Sequence, residues 1–141
     1  MKKVKIGNRL VGQGEPVFII AEAGVNHNGE LDKAKQLIEI AAEAGVDAVK
    51  FQTIIPEDLV TEQAPKAAYQ KVTTGAKESQ LDMLRSISLS FDDFVMLKHY
   101  CDEKGIIFLS TPFDSKSIDF LADLGVPAIK VTSTDTNNLP A

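Results

Sequence analysis

Lys50 and Lys130 stand at the same place in two similar stretches of this chain. Residues 42–53 read Ala-Glu-Ala-Gly-Val-Asp-Ala-Val-Lys-Phe-Gln-Thr, and residues 122–133 read Ala-Asp-Leu-Gly-Val-Pro-Ala-Ile-Lys-Val-Thr-Ser. Each stretch is a helix end, a glycine stop and a short apolar strand with a lysine inside it. A repeated supersecondary unit of this kind dictates architecture before any single residue does. Two ammonium groups presented alike from parallel strands suit an anion between them, because each is a point charge with three donors. Thr111 and Ser133 lie at comparable strand ends, where their hydroxyls can add donors to the same anion or simply form turns. Glu22 is a carboxylate among these cations, a candidate general acid or base, or else an ion-pair partner for a neighbouring lysine. Gln52 offers a neutral donor and acceptor suited to a sugar or an amide, or a tie between strand ends.

The elements that must position these groups follow from the hydrophobic pattern. Residues 4–11 have a strand–turn–strand character, with Gly7-Asn8-Arg9 at the bend. Residues 17–21, Val-Phe-Ile-Ile-Ala, predict a strand buried on both faces, followed by a polar loop over 22–29. Leu31, Ala34, Leu37, Ile38, Ala41 and Ala42 recur at helical spacing, which predicts a helix over 31–44 with Asn28 as N-cap and Gly45 as the stop. A second strand spans 46–52. A long excursion over 53–90 contains Pro56, Pro65 and Gly75 and a short helix over 78–87. Ser90-Phe91-Asp92-Asp93 resembles a capping box opening a helix that runs to Lys104. A third strand over 106–110, a helix capped by Ser115, and a fourth strand over 128–132 complete the series.

This β-α-β-α-β-α-β order implies a parallel sheet with right-handed crossovers. No dinucleotide-type glycine fingerprint follows the first strand. A complete eight-fold barrel needs about 250 residues. The expectation is therefore the first half of a TIM (β/α)8 barrel: four parallel strands, three to four helices and an N-terminal hairpin. Side-chain alternation puts Glu22, Lys50, Gln52, Thr111 and Lys130 on the face away from the helices, near the strand C-termini where barrel enzymes work.

Composition bounds the partners. The 141 residues are 44% hydrophobic and 25% charged, values of an ordinary globular domain. A net charge of −5 argues against nucleic acid as the main partner. No apolar run approaches the ~20 residues of a membrane helix, and no signal-type core follows the basic start. Cys101 is the single cysteine and is expected in the core, so a reducing cytoplasm is the expected location. His27 is expected to close its loop and His99 to be solvated. No histidine or carboxylate pair has metal-ligand spacing.

Taken together, five strings resemble the sialic acid synthase family, whose members condense phosphoenolpyruvate with N-acetylmannosamine or a related amino sugar. They are Ile19-Ile20-Ala21-Glu22-Ala23-Gly24-Val25-Asn26-His27-Asn28-Gly29; Val49-Lys50-Phe51-Gln52-Thr53; Ala64-Pro65-Lys66-Ala67-Ala68-Tyr69-Gln70; Ser110-Thr111-Pro112-Phe113-Asp114; and Lys130-Val131-Thr132-Ser133 with Asn137-Asn138-Leu139-Pro140. The resemblance implies a TIM barrel followed by a small antifreeze-like domain, in a homodimer. It implies that Lys50, Thr111, Lys130 and Ser133 bind phosphoenolpyruvate, that Glu22 lies at the reacting centre and that Gln52 contacts the sugar. The family's divalent metal, usually manganese, is held by two histidines of the second half of the barrel, outside this sequence, so the chain alone is expected to be inactive. Two departures stand out: Ser133-Thr134-Asp135 replaces the usual Ser-Gly-Glu or Ser-Gly-Asp, and Gly75 is followed by Ala76 where a polar residue is common. Two other readings compete: another phosphoenolpyruvate-aldose condensing synthase, and a non-catalytic half-barrel that binds an anion or a partner.

Overall fold

The structure is a computed structural model and describes residues 2–60 and 79–137. The 64–70 string, Gly75-Ala76 and the 138–140 end of the last string lie outside those residues.

The chain opens with an antiparallel hairpin, β1 (Val4–Ile6) and β2 (Arg9–Val11), in the register Val4↔Val11, Lys5↔Leu10, Ile6↔Arg9. A two-residue turn, Gly7-Asn8, joins them, and Gly7 takes φ 59°, a conformation open to glycine at little cost. The hairpin is pinned beneath the main sheet by one carboxylate. Asp47 pairs with the Arg9 guanidinium, and its other oxygen accepts the Ile19 N–H at 2.7 Å.

That sheet is parallel, with strand order β3 (Ile20–Gly24), β4 (Ala48–Thr53), β5 (Ile107–Pro112). Helix α1 (Leu31–Glu43) connects β3 to β4. The short α2 (Pro56–Leu59), α3 (Gln80–Ile87) and α4 (Phe91–Lys104) precede β5, and α5 (Ser115–Asp123) follows it. The core lies between sheet and helices. Phe51 and Phe108 stack at 5.7 Å between centroids, and Phe94 meets both edge-on at 6.4 Å. Ile38, Val49, Leu97, Cys101 and Leu121 fill the space around them, each fully buried. Aromatic edge and offset-stacked pairs add about 0.5–1.5 kcal/mol each beyond their area burial.

Several elements differ from the sequence expectation. The first parallel strand starts three residues later, at Ile20, because the ladder with β4 begins at Ile20↔Ala48. It is also an edge strand of the described sheet, so Val17, Ile19 and Ile20 are exposed rather than buried on both faces. Helix α1 starts after Glu30, which makes no side-chain cap, while Asn28 adopts φ 51°. Asp114, rather than Ser115, caps α5. The Ser90 capping box forms as expected, with Asp93 accepting the Ser90 N–H at 2.9 Å.

The expected fourth strand is reduced to one parallel bridge, Ser110↔Ile129, with the Lys130 N–H donating to the Ser110 carbonyl at 3.3 Å. Pro127 has no N–H to extend the ladder backwards. Beyond Lys130, Thr132 turns the chain by accepting the Thr134 N–H on its hydroxyl at 3.0 Å. Residues Ser133–Asp135 then form a 3-10 turn, so three parallel strands and a bridge stand where four strands were expected. Thr134 sits in this turn with no left-handed backbone, and the usual glycine is not needed for the conformation found here.

Candidate anion site at the strand ends

The parallel register assembles the site. Glu22 is the cross-strand partner of Lys50, Lys50 of Leu109, and Gln52 of Thr111. Val49, Phe51 and Phe108 face the helices, so alternation turns Glu22, Lys50, Gln52, Leu109 and Thr111 to the opposite face. Ile129 bridges Ser110, which shares the helix side with Phe108, so Lys130 falls on the Thr111 side.

The Lys50 side chain is only 13% exposed, and its ammonium donates to Oε2 of Glu22, whose own side chain is 53% exposed. This is the ion pair that the sequence left open as one role for Glu22. Thr111 is 4% exposed, and its hydroxyl has no hydrogen-bond partner. A buried hydroxyl left without a partner costs free energy, and native proteins keep few of them without a reason. Lys130 is exposed and forms no ion pair with a described residue. Ser133 is also exposed, and its carbonyl accepts the Thr136 hydroxyl at 2.9 Å. The structure thus brings Glu22, Lys50, Gln52 and Thr111 together directly, with Lys130 one bridge away and Ser133 in the turn beyond.

Two further residues shape this end of the sheet, and neither had a role in the sequence reading. At Gly24 the register shifts and φ is 54°. A Cβ there would stand 3.3 Å from Glu22 Oε1 and 3.5 Å from Gln52 Nε2, so the missing side chain lets both groups converge over the backbone. The signal was the glycine directly behind Glu22. Asp114 accepts from the Ser117 N–H at 2.7 Å, the Ser117 hydroxyl at 2.7 Å and the Ile55 N–H at 3.0 Å. With the Phe113 N–H on the Thr53 carbonyl at 3.1 Å, it stitches the loops after β4 and β5. Its signal was a helix-capping residue three before a serine; its reach to Ile55 is a tertiary fact.

His27 is fully buried. Its Nδ1 accepts the Gly29 N–H at 3.1 Å, its ring lies 6.0 Å from that of Phe51, and burial holds its pKa below the ordinary value against the opposing pull of Asp93. It closes the loop, as expected. Burial pushes the Cys101 thiol up to about 12, which removes it as a nucleophile. Among the described residues, no group of three His, Cys, Asp or Glu side chains is placed to hold a metal ion. No helix among them is long and apolar enough to cross a membrane.

Comparison with known proteins decides the family. The NeuB family model matches residues 37–141. The chain belongs to the NeuB family. It is 46% identical, over 92% of its length, to an N,N'-diacetyllegionaminic acid synthase of Legionella pneumophila, and covers 36% of that protein. It is 39% identical, over 94% of its length, to the human N-acetylneuraminate-9-phosphate synthase, again covering 36%. The solved N-acetylneuraminic acid (sialic acid) synthetase of Leptospira borgpetersenii, in complex with citrate, superposes with a TM-score of 0.80 at 31% identity, over 99% of this chain and 44% of that one. The chain therefore spans little more than a third of the length of these curated NeuB-family relatives. The three-stranded parallel sheet with its helices is an α/β arrangement shared with the Leptospira enzyme and consistent with part of a barrel.

Proposed function

We propose that this chain is the first half of the catalytic barrel of a synthase that joins phosphoenolpyruvate to an open-chain amino sugar of the N-acetylmannosamine type, giving a nonulosonic acid and inorganic phosphate. The observation that carries the reading is the placing of a largely buried lysine, Lys50, and a buried, partnerless hydroxyl, Thr111, on one face of the sheet. Both are groups whose burial makes sense once an anion accepts from them. The names of the relatives supply the reaction class, and the citrate in the Leptospira complex is, like phosphoenolpyruvate, a small polyanion.

In this reading, C3 of phosphoenolpyruvate forms a bond to the aldehyde carbon of the sugar while the aldehyde oxygen gains a proton. Water then adds to the resulting cationic C2 and loses a proton, and the C2–phosphate linkage breaks to release phosphate. Lys50 and Lys130 neutralise the phosphate and carboxylate, while Thr111 and Ser133 donate to them, an electrostatic contribution greatest where charge builds up. Glu22 handles a proton at the reacting carbon, and Gln52 orients the sugar. A divalent metal, usually manganese, would polarise the aldehyde, and its ligands would come from residues other than those described. A homodimer and a cytoplasmic location, where phosphoenolpyruvate is made, belong to the same proposal.

Calorimetry with phosphoenolpyruvate tests it. The chain binds the ligand, and Lys50→Ala and Thr111→Val each weaken binding about tenfold or more, as expected for a hydrogen bond to a charged group. Thr111→Val, which removes a partnerless hydroxyl, leaves the unfolding midpoint in urea unchanged or higher. Equal affinity in wild type and both variants overturns the assignment.

A further inference from the structure

We propose that Glu22 is an internal counter-ion that the incoming anion displaces from Lys50, so that this carboxylate sets the affinity of the site. The inference rests on the reading of Lys50, Thr111 and Lys130 as one phosphoenolpyruvate site, and it assigns Glu22 a role in binding that is separate from proton transfer.

The argument starts from the asymmetry of the pair. Lys50 is walled in at 13% exposure beside Leu109, which is 4% exposed, and a charge so far removed from water needs a partner. Glu22 supplies it from the neighbouring strand but keeps 53% of its own side chain in solvent. Of the two, the carboxylate is the one free to move. Gly24 leaves room for that movement, since no Cβ stands between Glu22 Oε1 and Gln52 Nε2. The Gln52 amide flanks the same point and is a neutral donor for the carboxylate once it lets go.

A ligand carrying a phosphate and a carboxylate meets three groups on this face. Thr111 has no partner and Lys130 has none among the described residues, but Lys50 is already engaged. In this proposal the ligand takes the place of Glu22 on Lys50, an exchange of one anion for another. The cost of the exchange is the worth of the Glu22–Lys50 pair plus the repulsion between Glu22 and the bound ligand. The sign of the consequence is distinctive. A residue that holds the ligand weakens binding when neutralised; a counter-ion strengthens it.

The test is calorimetric titration of phosphoenolpyruvate into the chain and its Glu22→Gln and Glu22→Ala variants, each also made in a Lys50→Ala background. Circular dichroism checks that each is folded, and Ala guards against a glutamine that keeps a hydrogen bond to Lys50. Both single variants are expected to bind about two- to fivefold more tightly than wild type, the worth of a part-exposed ion pair. The gain is expected to vanish when Lys50 is absent, which gives a non-zero coupling in the double-mutant cycle. Unchanged or weaker binding by both Glu22 variants overturns the counter-ion while leaving the anion site in place. A gain that persists without Lys50 also overturns it, because Glu22 would then act by general repulsion. No binding by wild type overturns the site and the counter-ion together.

Discussion

His27 illustrates how much a single side chain's surroundings decide. Its ring is fully buried against Phe51, and Nδ1 is committed to the Gly29 N–H, so the ring's one proton sits on Nε2, which has no partner. Burial disfavours the imidazolium, and Asp93 only partly offsets this. The unfolded chain therefore binds a proton at His27 more readily than the folded one. Stability is full above the ordinary histidine value of about 6.5 and falls as pH drops below it, until the lowered folded value is passed. Urea unfolding between pH 5 and 8, a window about the histidine range, is expected to show a falling midpoint on the acid side. A His27→Gln variant is expected to lose that slope, and a slope identical in the two proteins contradicts the assignment. Glu39 and Glu57, both held below the ordinary carboxylate value chiefly by hydrogen bonds from Tyr100 and Arg85, lose their contributions only at still lower pH. They therefore do not confuse the test.

At the scale of elements, close approach rather than propensity decides which glycine matters. Gly29 and Gly45 have nearly the same backbone, φ 73° and 72°. A Cβ at Gly45 meets nothing within 4 Å, while one at Gly29 would lie 2.5 Å from the Ser86 carbonyl oxygen. Gly29 thus lets the loop after β3 seat on the end of α3, and Gly45 only ends α1. Gly45→Ala is expected to cost about 1 kcal/mol, the ordinary price of a left-handed alanine. Gly29→Ala is expected to cost at least about 1 kcal/mol more, because backbone must shift. Denaturant melts of the two variants measure the difference, and equal losses would show that the loop yields freely. Asp114 belongs to this scale too: by capping α5 and holding the Ile55 N–H it keeps the β4 and β5 ends, and so Gln52 and Thr111, in fixed relation.

At the scale of the molecule, the described sheet has two exposed apolar edges. Val17, Ile19 and Ile20 are 79%, 52% and 42% exposed on one side, and Ile129 and Val131 are 37% and 60% exposed on the other. Unpaired strand edges with apolar side chains favour association. Sedimentation velocity on the purified chain is expected to show mass rising with concentration, and Ile20→Lys with Val131→Lys to suppress it. A single monomeric species from micromolar to near-millimolar concentration contradicts this expectation. The same edges explain why the strand expectations failed where they did. Residues 17–21 read as doubly buried because the run is uniformly apolar, but burial on two faces needs neighbours that a run of residues does not itself contain.

Local pattern was enough for the periodic helices, the Ser90 capping box, the order of the elements and the face on which Lys50, Gln52 and Thr111 sit. Helical spacing, capping chemistry and strand alternation all act over a few residues, and so they are written in the chain itself. The family resemblance was legible for the same reason, through strings of neighbouring residues, three of which span the ends of β3, β4 and β5. Contacts between distant residues were not. Only the tertiary structure decided that Glu22 closes on Lys50, that Thr111 is buried without a partner, that Asp114 reaches Ile55, and that Lys130 hangs on a single bridge. Each of these depends on register and on which neighbour arrives from another part of the chain, which no short-range preference specifies. Residue types alone could nominate two lysines for an anion; the fold determined that one of them is already holding a carboxylate.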